Sequence, residues 1–496
     1  MRKGLGMQKK ARIERKKFKS SKPVLGRVFF TSENLELLLP LGGICAGLCL
    51  IYLLFSSFSF FQSLGIIINI CLMGVLFFLG VYGFYPEFLT RRHFLLALVI
   101  VLSTALMSRI FVDVAKIPSL FVPFAFLSTL FALFFNFPIS ILILFVFCMI
   151  FSLVSQDIYS SAVWFCGGLT GAYGASLIHK RIDVTRVGLL VGAVNFIFAL
   201  GTGFIEGARF PDFLYRGLWG FGSGIFSSIL INVTLPYFET YFGITTDIGL
   251  MELADLNHPL LHRLSIEAPG TYHHTLTVAT LAVAAAEAVG ANSLLARVGA
   301  YYHDIGKVTR PHFFFENSGG KGKVDYHSRV SPNLSSMIII SHVKDGVELA
   351  RIFRLPQVVI DIISQHHGTG LIAYFYRKAL VEDKKEKFVD ESNFRYPGPK
   401  PKTKEAAIVM LADSVEADFR FSPTKNPKMI KLRIKKVIEN KLKDHQLDEV
   451  DFTLRELHLI EEAFSRVLTG LSHTRGRYPE EMLKNEEKDI RSQQYV

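Results

Sequence analysis

Two stretches of this chain, Leu37 to Pro86 and Ile117 to Gln156, contain no Asp, Glu, Lys or Arg. A helix crosses the hydrocarbon of a bilayer with roughly 20 apolar residues. Each stretch is about twice that length, so each reads as two membrane-spanning helices with a tight turn between them. The turns fall near Ser56-Ser57 to Gln62-Ser63 and at Asn136-Phe137-Pro138. Counting onward places spans near 37–58, 64–85, 93–110, 117–134, 138–155, 159–178, 187–205 and 215–237, the third cut short by Arg109. Half of the residues are hydrophobic and 44 are Phe, too apolar a composition for an ordinary soluble protein.

Charge orients these spans. A dense basic tail (Arg2, Lys3, Lys9, Lys10, Arg12, Arg15, Lys16, Lys17, Lys19, Lys22) precedes the first. Arg91-Arg92 follow the second, and His179-Lys180-Arg181 with Arg186 follow the sixth. Basic loops face the cytoplasm. Eight spans then put both chain ends in the cytoplasm and everything after about residue 240 with them. The tail accounts for most of the net charge of +12, so it reads as an orientation signal touching anionic lipid, with no duplex nucleic acid expected. The first span lacks a small-residue cleavage site and reads as an uncleaved anchor. All five cysteines (Cys45, Cys49, Cys71, Cys148, Cys166) lie in the membrane region, which excludes a disulfide framework or thiolate metal site from the rest.

Beyond residue 240 charge returns, together with thirteen of the fifteen histidines. Helix signals are clear. Pro269-Gly270 precede an Ala-rich run, Tyr272 to Val289, ended by Gly290. Asn292-Ser293 cap a helix from Leu294 to Ile305. Ser331-Pro332 open one expected to stop near Lys344, before Gly346. Pro356 opens another that closes at Gly368, and Thr403 to Arg420 is strongly helical. Asn317 to Asp325 and Asp383 to Lys402 read as loops. Alternating strand patterns are nearly absent, so this region is expected to be an all-α domain of about 230 residues.

On these helices lie His274, then His303-Asp304, then His342, then His366-His367, then Asp413. A histidine on an apolar helix is more often a core residue than a ligand. His258, His262, His273, His312, His327, His445, His458 and His473 fit that reading or a surface position. The ordered set differs, because Asp304 and Asp413 sit among apolar neighbours where an unpaired carboxylate is costly. Imidazoles and carboxylates converging without cysteine suit a first-row divalent metal such as Mn, Fe, Co or Zn.

The series His274, His303-Asp304, Asp413 resembles the signature of the HD phosphohydrolase superfamily, with His342 and His366-His367 similar to the extra ligands of its binuclear members. PGTYHHTL (269–276), HDIGK (303–307), RPHFFFEN (310–317), IIISHVKDGVE (338–348), QHHGTGLIAYFY (365–376) and FRYPGPKPKTKEAAIVMLADSVEA (394–417) carry it further. They look like the bacterial seven-transmembrane-receptor HD family of membrane-bound cyclic di-AMP phosphodiesterases, the PgpH type. The expected domain order is a basic tail (1–36), a membrane domain of about eight helices (37–238), a cytoplasmic all-helical HD domain (239–480) and a charged tail (481–496), the resemblance covering about residues 60 to 480. The resemblance implies two divalent transition-metal ions, Mn or Fe. One would be held by His274, His303, Asp304 and Asp413, the other by Asp304, His342, His366 and His367. Asp304, His303 and Lys307 would serve the chemistry, Lys307 either reaching a phosphate oxygen or acting as a helix C-terminal cation. The implied substrate is a cyclic dinucleotide and the implied location the bacterial cytoplasmic membrane.

Family members usually carry a large extracytoplasmic domain between the first span and the next seven. Here that connection is only a few residues, which puts its sensing role in doubt. GTGLIAYFY stands where relatives acting on cyclic di-GMP have a GYP signature. Other readings are an HD hydrolase of another nucleotide (cyclic di-GMP or a guanosine alarmone) and a membrane receptor that only binds nucleotide. A transporter would want charged or broken spans, whereas the polar exceptions here are Asn195 and Asn232. Native metal and oligomeric state, a homo-oligomer included, are left open by the sequence.

Overall fold

A computed structural model of the protein describes residues 32–54, 59–85, 90–317, 326–382, 389–421, 424 and 426–474. The basic tail, the charged C-terminal tail and nearly all of the 317–325 loop lie outside the described residues. Contacts divide the chain into two compact units, Met1–Phe242 and Gly243–Val496.

In the first unit helices occupy all eight expected places: α1 (Ser32–Leu54), α2 (Phe60–Phe84), α3 (Arg91–Arg109), α4 (Phe124–Phe134), α5 (Phe137–Ser155), α6 (Ile158–Ala175), α7 (Arg181–Glu206) and α8 (Phe210–Phe242). Among the described residues five are long and apolar enough to cross a membrane: α2, α3 with its extension, α5, α7 and α8. Their starts follow local chemistry. Ser59 and Gln62 make a reciprocal capping box on α2, while Asn136 caps α5 and Asp157 caps α6. α7 and α8 pack backbone to backbone. A Cβ on Gly224 would stand 2.3 Å from the nitrogen of Gly192, so only hydrogen fits there.

Two expectations change. Arg109 does not cut the third span short. The helix runs on as a π turn, Ile110–Val114, and the Arg109 guanidinium pairs with Asp113 at 2.9 Å. Pairing neutralises both charges, which lets the helix keep them. The fourth span is shorter than 117–134, because Pro118 and Pro123 lack the donors of a regular helix and delay α4 to Phe124.

Among its described residues the second unit has helices joined by turns and loops and no strand, only one isolated bridge, Leu371 to Arg395. Its helices are α9 (Asp247–Leu253), α10 (Pro259–Glu267), α11 (Pro269–Val289), α12 (Ser293–Tyr302), α13 (Pro332–Ile352), α14 (Gln357–Gln365), α15 (Ala373–Glu382), α16 (Lys404–Phe421), α17 (Pro427–Lys443) and α18 (Leu454–Thr474). α16 is the axis. Ala406 to Ala412 are buried all round, as a helix hydrophobic on every face must be. Small residues of α11 (Ala282, Ala285, Ala286) let it lie close against α16, and Ile434 of α17 with Phe464 of α18 complete this core. A second core joins Leu260 and Leu264 of α10, Tyr302, Ile305 and Ile363 of α14. Gly290 ends α11 with φ +71, a conformation glycine adopts without strain.

Helix ends near the histidines differ from expectation, and one contact explains two of them. α12 stops at Tyr302 rather than Ile305, giving way to a 3₁₀ turn over Ile305–Thr309. α13 does not stop before Gly346 but continues to Ile352. Gly346 is not a terminator; it faces Gly306. A Cβ on Gly306 would lie 1.9 Å from the His342 carbonyl oxygen and 2.5 Å from the Gly346 nitrogen. The turn after Asp304 is thereby pressed against the helix that carries His342. α14 closes at Gln365, three residues before Gly368, whose φ of +54 makes the turn beyond the double histidine.

Candidate metal centre

Five chain segments deliver the seven expected side chains to one place. His274 lies in the second turn of α11, and His303 caps the end of α12 with Asp304 directly after it. His342 is mid-α13, His366 and His367 follow α14, and Asp413 is mid-α16. The two oxygens of Asp304 face different partners. Oδ1 lies 3.3 Å from His342 Nε2 and 3.7 Å from His366 Nε2. Oδ2 lies 3.4 Å from His274 Nε2 and 3.3 Å from His303 Nε2. Asp413 Oδ1 stands 3.1 Å from His274 Nε2 and 3.9 Å from His303 Nε2, and its Oδ2 is 3.8 Å from His367 Nδ1. His342 and His366 bring their Nε2 atoms within 3.4 Å of one another.

Tethers fix these rings. Nδ1–H of His303, His342 and His366 each donates to the carbonyl oxygen three residues back, at 2.8, 2.5 and 2.8 Å. Each Nε2 is then the bare lone pair, and it points at Asp304. His274 is held instead by Glu416, whose Oε2 accepts from Nδ1 at 2.7 Å. Arg420 in turn holds Glu416. A carboxylate or carbonyl behind the ring fixes the tautomer and raises ligand basicity. His367 stacks on Tyr396, ring centroids 4.3 Å apart.

The donor set fits divalent cations. Bonds of about 2.1 Å give tetrahedral or octahedral edges of roughly 3.0–3.4 Å between ligand atoms, and five of the eight separations above fall there, the other three being longer. Ligand atoms of Asp304, His342, His366 and His367 lie mutually within 4.8 Å, as do those of His274, His303 and Asp304. Oδ1 of Asp304 and Nε2 of His303 are buried without a hydrogen-bond partner, while Oδ2 of Asp304 faces the Lys307 ammonium. Such groups want a partner.

Electrostatics divide the set: they favour ionised carboxylates and neutral His366 and His367, but a proton on His274. Burial works against the charge on Asp304, but Lys307, His303 and His274 hold it well below the usual carboxylate range. Burial likewise opposes the charge on His274, but Asp304, Asp413 and Glu416 outweigh it and raise its pKa well above the ordinary value. Asp413 is held low against its own burial, chiefly by His274. Burial pushes His366 down to about 4 and His367 also well down, leaving both imidazoles neutral near pH 7, the form that binds metal.

Lys307 has its ammonium 2.7 Å from Asp304 Oδ2 and 2.7 Å from Glu316 Oε1. It sits in the 3₁₀ turn after α12, with two of its three N–H donors committed to these carboxylates. Glu316, Glu416 and Arg420 are site residues that the sequence reading missed. Glu416 and Arg420 follow Asp413 at helical spacing (i+3 and i+7), a signal that could have found them. Glu316 joins through contacts distant in sequence, to Lys307, Arg420 and Thr271, and nothing in RPHFFFEN marks it.

Residues 271–418 match the family model described as HD domain, and residues 60–246 match the one described as 7TM receptor with intracellular HD hydrolase. The two matches fall on the membrane helices and on the helical domain that follows them. The chain is similar to the cyclic-di-AMP phosphodiesterase PgpH of Bacillus subtilis, 44% identical over 317 residues, which are 63% of this chain and 44% of the relative. The Listeria monocytogenes protein of the same name is 41% identical over 324 residues, again 63% of this chain and 44% of the relative. The match thus spans less than half the length of these curated relatives. A crystal structure of the HD domain of L. monocytogenes PgpH in complex with cyclic-di-AMP is 46% identical, covering 43% of this chain and 98% of that one, with a TM-score of 0.41.

Proposed function

We propose that this chain is a membrane-anchored, metal-dependent phosphodiesterase that hydrolyses cyclic di-AMP to linear 5′-phosphorylated diadenosine. One observation carries the chemical part: the buried Asp304 carboxylate, each oxygen turned to a different pair of histidine Nε2 atoms. The substrate part rests on the names of the two relatives. In this reading His274, His303, Asp304 and Asp413 hold one divalent ion, and Asp304, His342, His366 and His367 hold a second, Mn or Fe. Such ions supply charge neutralisation on a phosphodiester and a water acidic enough to attack near neutral pH. The protein's part is positional. Tethered Nε2 atoms and two ionised carboxylates are fixed before substrate arrives, and Glu416 and the helix carbonyls keep the rings from turning. Lys307 orients Asp304 and adds positive charge beside the phosphodiester. Water adds to phosphorus, the bond to the 3′-oxygen breaks, and that oxygen leaves with a proton as the free hydroxyl. The membrane helices anchor the enzyme in the bacterial cytoplasmic membrane with both termini inside.

The test is turnover by the full chain in detergent micelles with Mn²⁺, offered cyclic di-AMP, cyclic di-GMP and guanosine alarmones. Cyclic di-AMP is expected to give the linear dinucleotide, and Asp304→Ala to fall to the no-enzyme background. Turnover of none of these compounds, or activity indifferent to Asp304→Ala, would remove the enzymatic reading.

A further inference from the structure

Among the described residues, three cationic side chains on segments that carry the cluster are occupied, and a fourth, on α17, is not. Lys307 holds Asp304 and Glu316, Arg420 holds Glu416, and Arg395 holds Glu391 and Asp444. The fourth, Lys441, lies in the last turn of α17. Its neighbour Lys443 is exposed, as a helix-end cation ordinarily is, but Lys441 is half-buried. Among the described residues no carboxylate lies within ion-pair distance of it; the charges that act on it from further away are Asp413 and Asp444. Its Nζ stands 3.8 Å from the point a Cβ on Gly370 would occupy. Gly370 comes three residues after His367.

The segment under this ammonium is rigid. Thr369 N–H donates to Gln446 Oε1 at 2.8 Å, Gln446 Nε2 donates to Thr369 Oγ1 at 2.9 Å, and Arg395 donates to the Thr369 carbonyl at 2.9 Å. The missing side chain of Gly370 leaves room beside a fixed positive charge. A half-buried ammonium without a counter-charge is costly, and burial pulls its pKa below the usual lysine value. An arriving anion removes that cost.

We propose that Lys441, above Gly370, is a phosphate-binding side chain of the substrate site, taking the phosphate of a cyclic dinucleotide that is not being cleaved. The proposal rests on the hydrolase reading above. A cyclic dinucleotide carries two phosphodiesters in one ring, and one of them goes to the Asp304 cluster. Lys441 lies beside that cluster: the point a Cβ on Gly370 would occupy is 3.0 Å from the His367 carbonyl oxygen and 3.8 Å from Lys441 Nζ. The class of ligand that satisfies both ends is therefore a bis-phosphate ring, not a simple diester.

The experiment compares the full chain with Lys441→Met and Lys441→Arg. Anisotropy of a fluorescent cyclic di-AMP gives Kd, and turnover is followed for cyclic di-AMP and for bis(p-nitrophenyl) phosphate, which has one phosphate only. Losing a hydrogen bond to a charged group weakens binding roughly ten- to a hundredfold. Lys441→Met is expected to raise Kd and KM for the dinucleotide by that factor, with kcat and the single-phosphate reaction little changed. Lys441→Arg is expected to recover most of the loss. Lys441→Met should melt no lower than the parent, because it removes an uncompensated charge; a lower melting temperature would mark a structural role and overturn the proposal. Unchanged Kd, or equal losses on both substrates, would overturn it too. A parent protein that binds the dinucleotide in a Lys441-dependent way but hydrolyses neither compound would refute the hydrolase reading and leave this subsite standing.

Discussion

Glu416 shows how far the centre extends beyond its seven expected residues. Its carboxylate accepts from His274 Nδ1 at 2.7 Å and is held from behind by Arg420. Replacing a carboxylate behind a ligating histidine typically costs 10- to about 100-fold in metal affinity. Glu416→Gln keeps the shape and an acceptor oxygen but loses the charge, so calorimetric Mn²⁺ titration of the variant is expected to show weaker binding by that range. Affinity equal to the parent's would mean that Glu416 serves only the helix. At this scale the sequence was informative where residue type is itself chemical. The His-Asp and His-His pairs announce themselves, whereas Glu416, Glu316 and Arg420 are surface-type residues by identity and become site residues only through their neighbours.

Helices are where the chain enforces this geometry, and their ends are where sequence reasoning strayed. Gly346 resembles a stop signal, and only its contact with Gly306 reveals a packing role; no local pattern contains that information. The start of α18 is local by contrast. Thr453 and Glu456 form a reciprocal cap, and Glu456 Oε1 also accepts from Lys404 Nζ at 2.5 Å, joining α18 to the start of α16. Lys404 first, then the Thr453 N–H, lower the Glu456 pKa from 4.5 to about 2. A pKa depressed in the folded state stabilises above the unfolded value and loses that contribution as pH falls toward the folded one. The stability difference between the parent and Glu456→Gln, followed by thermal melts, is therefore expected to be constant above about pH 5, to shrink below 4.5 and to vanish near 2. A difference independent of pH would show that the charge of Glu456 does nothing for the fold.

For the molecule as a whole, the division into two compact units sets what a bound ion can influence. The candidate ligands all lie after residue 243. Ligand that binds only the folded state adds about 2.7 kcal/mol at a hundred times Kd. Mn²⁺ should raise the melting transition of the second unit, and a chelator should return it, while the transition of the membrane unit stays in place. Calorimetry of the full chain reads both, and a shift common to the two transitions would contradict the separation. The gross plan was visible in the sequence because charge-free runs and helix punctuation are local and strong. Arg109 shows the limit: an arginine in an apolar run looks like a boundary until Asp113, one turn later, is seen to neutralise it.

Three imidazoles tied by Nδ1–H to their own helix backbone also carry a spectroscopic consequence. Those ring protons are sequestered from water, and none can exchange with deuterium unless the turn supplying its carbonyl opens. Each is thus a resident clock on the segment that carries it. The ends of α12 and α14 and the middle of α13 can be timed separately, from inside the centre they support.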